Sequence, residues 1–128
     1  MEEIRTAIEA GRLLLYAQPI VPLRGPNEGC HYEVLVRMLT PTGEPVSPAQ
    51  FLGAAERYQL MLEIDRWVVA AAIDALLAQG RSGAGDDIEL AINLSGQSIG
   101  NDQFREFVAD ELDRTQVNAR QLCFEITE

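Results

Sequence analysis

HYEVLVRM, residues His31 to Met38, reads as a β-strand with one unusual side. Side chains alternate along a strand, so Glu33, Leu35 and Arg37 point one way while Val34, Val36 and Met38 point the other. One face is apolar, and the other carries a carboxylate and a guanidinium. Burying an ion costs several kcal/mol unless it is paired, hydrogen-bonded or metal-bound, so the polar face requires a partner elsewhere in the chain.

Working outward, helix and strand signals alternate. Residues 2–12 read as a helix with Ile4, Ala7 and Ile8 on one face and Gly11 at its end. Leu13 to Gln18 reads as a strand stopped by Pro19, and 21–29 as a loop rich in proline and glycine. After the opening strand, Ser47-Pro48 has the form of an N-cap with proline at the first helical position, starting a helix to about Tyr58. Glu63 to Gln79 is the strongest helix, striped by Ile64, Trp67, Val68, Ala71 and Ala72. Gly80 to Gly85 is a connector, Ile88 to Leu94 a strand, Asp102 to Arg114 a helix and Gln121 to Thr127 a final strand. This order predicts an α/β fold: parallel strands with helices outside, as in a doubly wound sheet or a (β/α) barrel. A closed barrel takes about 250 residues, so 128 residues supply roughly its first half.

The composition excludes several classes of function. Twenty acidic against ten basic residues give a net charge of −10, which argues against binding long nucleic acid through its phosphates. No apolar run approaches the ~20 residues of a bilayer helix, and the Met-Glu-Glu start lacks signal-peptide character, so a soluble, cytoplasmic chain without membrane contact is expected. Cys30 and Cys123 lack metal-ligand spacing and lie in apolar runs, so buried free thiols are expected. His31, the single histidine, has no partner at ligand spacing.

The polar residues Gln18, Glu33, Arg37, Asn93 and Glu125 fall in or toward the C-terminal parts of their strands, the end where (β/α) barrels build active sites. Two carboxylates and a carboxamide at one mouth form an oxygen-only ligand set, which suits Mg²⁺ or Mn²⁺ better than zinc. Arg37 beside them could fork onto a phosphate. Spacing alone leaves plainer alternatives open. Glu33 and Arg37 could form an internal ion pair, Asn93 a turn before Ser95-Gly96, Gln18 a bond to neighbouring backbone, and Glu125 a partner for an arginine.

These residues resemble the EAL-domain phosphodiesterases, in order along about the whole chain. Tyr16-Ala17-Gln18-Pro19-Ile20-Val21 resembles that family's YQPIV strand, and Glu33-Val34-Leu35-Val36-Arg37 its EALLR signature. Ser47-Pro48 to Phe51, Ala55-Glu56 and Ile64 to Val68 resemble the helical stretch that follows, and Ile92 to Ser95 and Phe124 to Glu128 its NLS and ExTE motifs. The resemblance implies hydrolysis of cyclic di-GMP to linear pGpG with Mg²⁺ or Mn²⁺. It implies Glu33, Asn93 and Glu125 as metal ligands, with Glu33 also counted catalytic, Arg37 as a phosphate contact, and Gln18 and Leu35 as parts of the dinucleotide pocket.

Departures from the family pattern carry their own expectations. Val34 replaces alanine, and Gln59 stands where glycine is usual, so a helix end is expected to change there. The chain stops at Glu128, before the family's DDFG aspartates, lysine and later glutamate. Residues 1–128 are therefore expected to be the N-terminal half of an EAL domain, inactive alone. With two open sheet edges and an uncovered inner face, the segment is expected either to homodimerise or to continue into a missing C-terminal half. The alternative functions are a degenerate cyclic di-GMP-binding module or a protein-interaction module without catalysis.

Overall fold

Positive-φ residues set the helix ends that shape this chain. A computed structural model describes residues 2–23, 25, 30–81 and 88–127. Much of the connectors expected at 21–29 and 80–85, and Glu128, lie outside the described residues. The first helix, α1, spans Glu2–Glu9 and ends at Gly11, whose φ of +73° is the left-handed conformation that glycine adopts without a Cβ penalty. Two backbone bonds close that end, from Arg12 N to Ala7 O at 2.8 Å and from Gly11 N to Ile8 O at 3.2 Å.

Strand β1 (Leu13–Ile20) pairs antiparallel with β2 (Cys30–Met38), in register from Leu13↔Met38 to Ile20↔His31. Pro19 does not stop β1, contrary to expectation, because β1 is an edge strand of the described sheet. An edge strand can spare the N–H that proline lacks. The antiparallel pairing also departs from the all-parallel expectation. Residues 21–29 are too few for the crossover of a dozen or more residues that parallel neighbours need.

Helices α2 (Pro48–Arg57) and α3 (Met61–Arg81) supply that crossover for β3 (Ile88–Ser95), which pairs parallel with β2. A short α4 (Gly96–Ile99) and α5 (Asp102–Thr115) lead to β4 (Leu122–Thr127), again parallel, giving the order β1-β2-β3-β4. The fold is thus mixed α/β with a mostly parallel sheet, a partial barrel with its helices on one face. Pro48 opens α2 as expected, although the Ser47 side chain makes no cap bond. Asn101 does cap α5, accepting from Phe104 N at 2.8 Å.

The core lies between the helices and the apolar strand face. Val34, Met38, Leu90, Ile92 and Leu94 of the sheet are buried with Phe51, Ile64, Val69, Ile73 and Phe104 of the helices. Of the expected α3 stripe, Ile64, Val68 and Ala72 are buried while Trp67 and Ala71 are partly so, since the helix also turns its Val69, Ile73 and Leu76 inward. The other sheet face stays uncovered among the described residues, which leaves Tyr16 53% exposed.

Both cysteines are free and exposed, correcting the expectation of burial. Cys123 lies on the uncovered face, in the row Glu33↔Ala91↔Cys123, and Cys30 opens β2 at the sheet's end. An apolar run indicates a strand but does not say which of its faces finds a cover.

Gln59 takes the place of the usual glycine at the α2 end with φ +57°, and the backbone still closes through Leu60 N to Ala55 O at 2.8 Å. A side chain held there strains the backbone by about 1 kcal/mol or more. Gln59→Gly is therefore expected to stabilise the fold by roughly 0.5–1 kcal/mol, after the larger chain entropy of glycine is subtracted. Urea titration checks this, and a loss of stability would show that the glutamine side chain makes a compensating contact.

Candidate functional site

Alternation and register together decide which polar side chains meet. On the open face, Gln18 stands opposite Glu33 across the β1–β2 ladder, Tyr16 opposite Leu35 and Leu14 opposite Arg37. Across the parallel ladders Glu33 is level with Ala91, and Asn93 is level with Glu125. Asn93, two residues beyond Ala91, is thus the diagonal neighbour of Glu33. Its Nδ2 donates to Glu33 Oε1 at 3.1 Å.

Glu33 lies in the first half of β2, not toward its end as expected. It still reaches the rim because the β2–β3 ladder ends at Val34↔Ile92, one residue further on. Beyond that point β2 pairs with β1 alone, and a cleft of about 320 Å³ opens at the strand ends, lined by Glu33, Leu35, Arg37, Asn93, Asp65 and Leu52 among others. Gln18 reaches the level of Glu33 for the opposite reason to the one expected. In an antiparallel hairpin the end of β1 lies beside the start of β2, and Gln18 is exposed there, outside the cleft lining.

Among the described residues, Glu33 and Arg37 form no ion pair; the Arg37 Nη1 donates instead to the Val36 carbonyl at 2.9 Å. The remaining guanidinium donors stay available to an anion in the cleft. Asn93 is inside β3 rather than in a turn, and Glu125 is exposed on β4. His31 sits low on the same face with its Nδ1 3.4 Å from Glu89 Oε2.

The donor chemistry fits a hard cation. Asn93 spends its amide nitrogen on Glu33, which leaves its oxygen for a ligand, and Glu125 adds a second carboxylate on the adjoining strand. Among the described residues no three His, Cys, Asp or Glu side chains gather to hold a metal. A cation at this rim would therefore rest on two carboxylates and one carboxamide oxygen.

Asp65 also lines this cleft, a position that strand alternation does not give. It is 2% exposed on α3, and its Oδ2 accepts from Ser95 N at 3.0 Å, Ser95 Oγ at 2.9 Å and Ser98 Oγ at 2.6 Å. The signal was present in the sequence. Val68, Val69 and Ala72 follow Asp65 at the i+3, i+4 and i+7 spacing of a buried helical arc, and an acid on such an arc requires donors.

The fold is a mostly parallel α/β sheet with oxygen-bearing side chains on its open face, at the end where α/β barrels build their sites. A family model described as EAL domain matches residues 1–128, and the chain belongs to that family. The cyclic di-GMP phosphodiesterase PdeB of Shewanella oneidensis is 41% identical over 98% of this chain and 14% of its own length. The cyclic di-GMP phosphodiesterase PdeF of Escherichia coli is 34% identical over 100% of this chain and 16% of its own. The crystal structure of the FimX EAL domain from Pseudomonas aeruginosa bound to c-di-GMP superposes with a TM-score of 0.85 at 31% identity, covering 98% of this chain and 48% of that one. The chain therefore spans less than a fifth of either curated relative and about half of that solved chain. Among the described residues no helix is long and apolar enough to cross a membrane.

Proposed function

We propose that residues 1–128 form the N-terminal half of a cyclic di-GMP phosphodiesterase domain, with Glu33, Asn93 and Glu125 holding a Mg²⁺ or Mn²⁺ ion. The supporting observation is the 3.1 Å Asn93–Glu33 contact on the uncovered face with Glu125 in register beside Asn93. Paired divalent cations in such a site would stabilise the attacking and leaving oxygens of an in-line phosphodiester displacement. Arg37, in the cleft lining, forks onto a phosphate of the dinucleotide with the donors left over from its bond to the Val36 carbonyl. Leu35 supplies apolar cleft wall, and Gln18 donates or accepts from the neighbouring edge strand. The net charge of −10 favours cation capture and leaves phosphate binding to Arg37 and the metal.

Hydrolysis needs more ligands than this rim provides, so the segment alone binds metal and dinucleotide without producing pGpG. Its open sheet face is covered in the working domain by the rest of the barrel or by a second copy of the chain. Calorimetric titration of the 128-residue protein with Mn²⁺ and then cyclic di-GMP tests the site. Heat from both, with no pGpG formed, is expected; no heat from either overturns the assignment in favour of a protein-interaction module. Sedimentation at micromolar concentration tests the uncovered face, where a stable monomer counts against self-pairing. Arg37→Ala is expected to weaken the dinucleotide roughly ten- to a hundredfold, the effect of one charge-assisted hydrogen bond, with Mn²⁺ affinity unchanged. Equal losses for both ligands would remove Arg37 from its phosphate role.

A further inference from the structure

Among the described residues four polar or charged side chains are buried: Asp65, Ser95, Ser98 and Gln121. Three of them form one cluster, at the corner where β3 becomes α4. Asp65 Oδ2 takes all three donors from that corner, and the Ser95 hydroxyl also accepts from Ser98 N at 3.1 Å, capping α4. The Ser95 hydroxyl already caps α4 through Ser98 N, and none of the three donors that Asp65 receives is an N–H of α4. The buried carboxylate therefore exceeds what local structure requires, and it costs desolvation that an apolar residue would not.

The cluster's place explains the excess. Ser95 is two residues beyond Asn93 on the last stretch of β3, and Asp65 lines the same cleft as Asn93 and Glu33. One bond from Asp65 goes to the Ser95 backbone N–H, so α3 grips the main chain of β3 itself and not merely a side chain. The β2–β3 register ends at Val34↔Ile92, so beyond it Asn93 has a strand partner only in β4, at Glu125, and Asp65 supplies the tie on the helix side. A fully satisfied buried polar network specifies one geometry where apolar packing allows several.

We infer that Asp65 is a positioning residue: by anchoring the end of β3 to α3 it holds the Asn93 carboxamide against Glu33, and so sets the ligand pair for the cation. This rests on the metal assignment made above and deepens it. The closest physical parallel is the outer shell of metal sites, whose loss typically weakens metal binding ten- to a hundredfold.

The test compares two variants of the full chain. Asp65→Asn keeps the shape but removes the charge that three donors share, and is expected to weaken Mn²⁺ binding about tenfold or more. Ser98→Ala removes a donor that belongs to α4, leaving both Ser95 bonds in place. It is expected to lower thermal stability yet keep Mn²⁺ affinity within about twofold, which separates positioning from stability. The Asn93 side-chain NH₂ signal in ¹⁵N spectra gives a metal-free readout: slowed exchange from the Glu33 bond persists in Ser98→Ala and is lost in Asp65→Asn. Should Asp65→Asn fail to fold, Ser95→Ala, which keeps the N–H bond to Asp65, is expected to show partial loss of the same signal. An Asn93 signal unchanged in Asp65→Asn, or in Ser95→Ala where that variant replaces it, overturns the inference, as does Ser98→Ala losing as much affinity as Asp65→Asn. If the wild type itself binds no Mn²⁺, the metal assignment falls while the Asn93 signal still decides the role of Asp65.

Discussion

Glu33→Gln is expected to remove measurable Mn²⁺ binding while leaving the fold nearly as stable as before. The two effects separate because the contacts of Glu33 are of two kinds. Its Oε1 accepts the Asn93 amide at 3.1 Å, and a glutamine oxygen in the same place accepts it too. The structural change is the replacement of one half-buried hydrogen bond by a weaker one, about 1 kcal/mol. The electrostatic change is far larger. A hard cation binds by ligand charge, and the rim offers two carboxylates, so the variant halves the formal negative charge of the set. The affinity should fall by more than the ten- to hundredfold that losing an outer-shell partner brings. Titration calorimetry with Mn²⁺, beside urea unfolding of both proteins, measures each effect. Unchanged Mn²⁺ affinity would falsify the ligand role of Glu33.

That experiment bears on the feature most legible in the sequence. Glu33 amid Val34, Val36 and Met38 already placed a charge on one face of a strand, and the period of two assigned Leu35 and Arg37 to the same side. Asn93 and Glu125 could be placed on the same face of their own strands by the same alternation. What alternation could not supply was relative height. Ladder register belongs to pairs of strands, so the diagonal that brings Asn93 to Glu33 becomes visible only when Ala91 is seen opposite Glu33. Strand direction was hidden for a related reason. The sequence pattern of β1 is the same whether it runs with β2 or against it, and only the shortness of 21–29 favours the hairpin.

Asp65 shows a different kind of illegibility. Its spacing to Val68, Val69 and Ala72 marks it as inward-facing, but its partners Ser95 and Ser98 lie some thirty residues away. A buried charge announces that donors exist without saying where they come from. The exposed thiols of Cys30 and Cys123 are the converse, since apolar neighbours in sequence do not guarantee a neighbouring layer in space.

Phe51→Ala is expected to cost the fold about 3–5 kcal/mol, the usual toll for emptying a buried aromatic site. Phe51 is 1% exposed and is the largest side chain that α2 buries. It borders a cavity of about 300 Å³ with Ile4 of α1, Met38 of β2 and Val46, so the emptied volume would join space already open and the walls would have little to collapse onto. A domain of ordinary stability has only about 5–15 kcal/mol in total, and a sheet with one face uncovered belongs toward the low end. The effect should reach the site as well. Leu52, the next residue, lines the cleft beside Glu33 and Asn93, and it is held there by the seating of α2. Phe51→Leu, which retains most of the apolar volume, should lose roughly 1–2 kcal/mol. Urea titration of the three proteins measures this as a fall in midpoint at unchanged slope. A loss below about 1.5 kcal/mol for Phe51→Ala would mean that α2 is held by its Ala55 contact and its closed C-terminal turn, and that the cleft wall does not depend on the aromatic anchor.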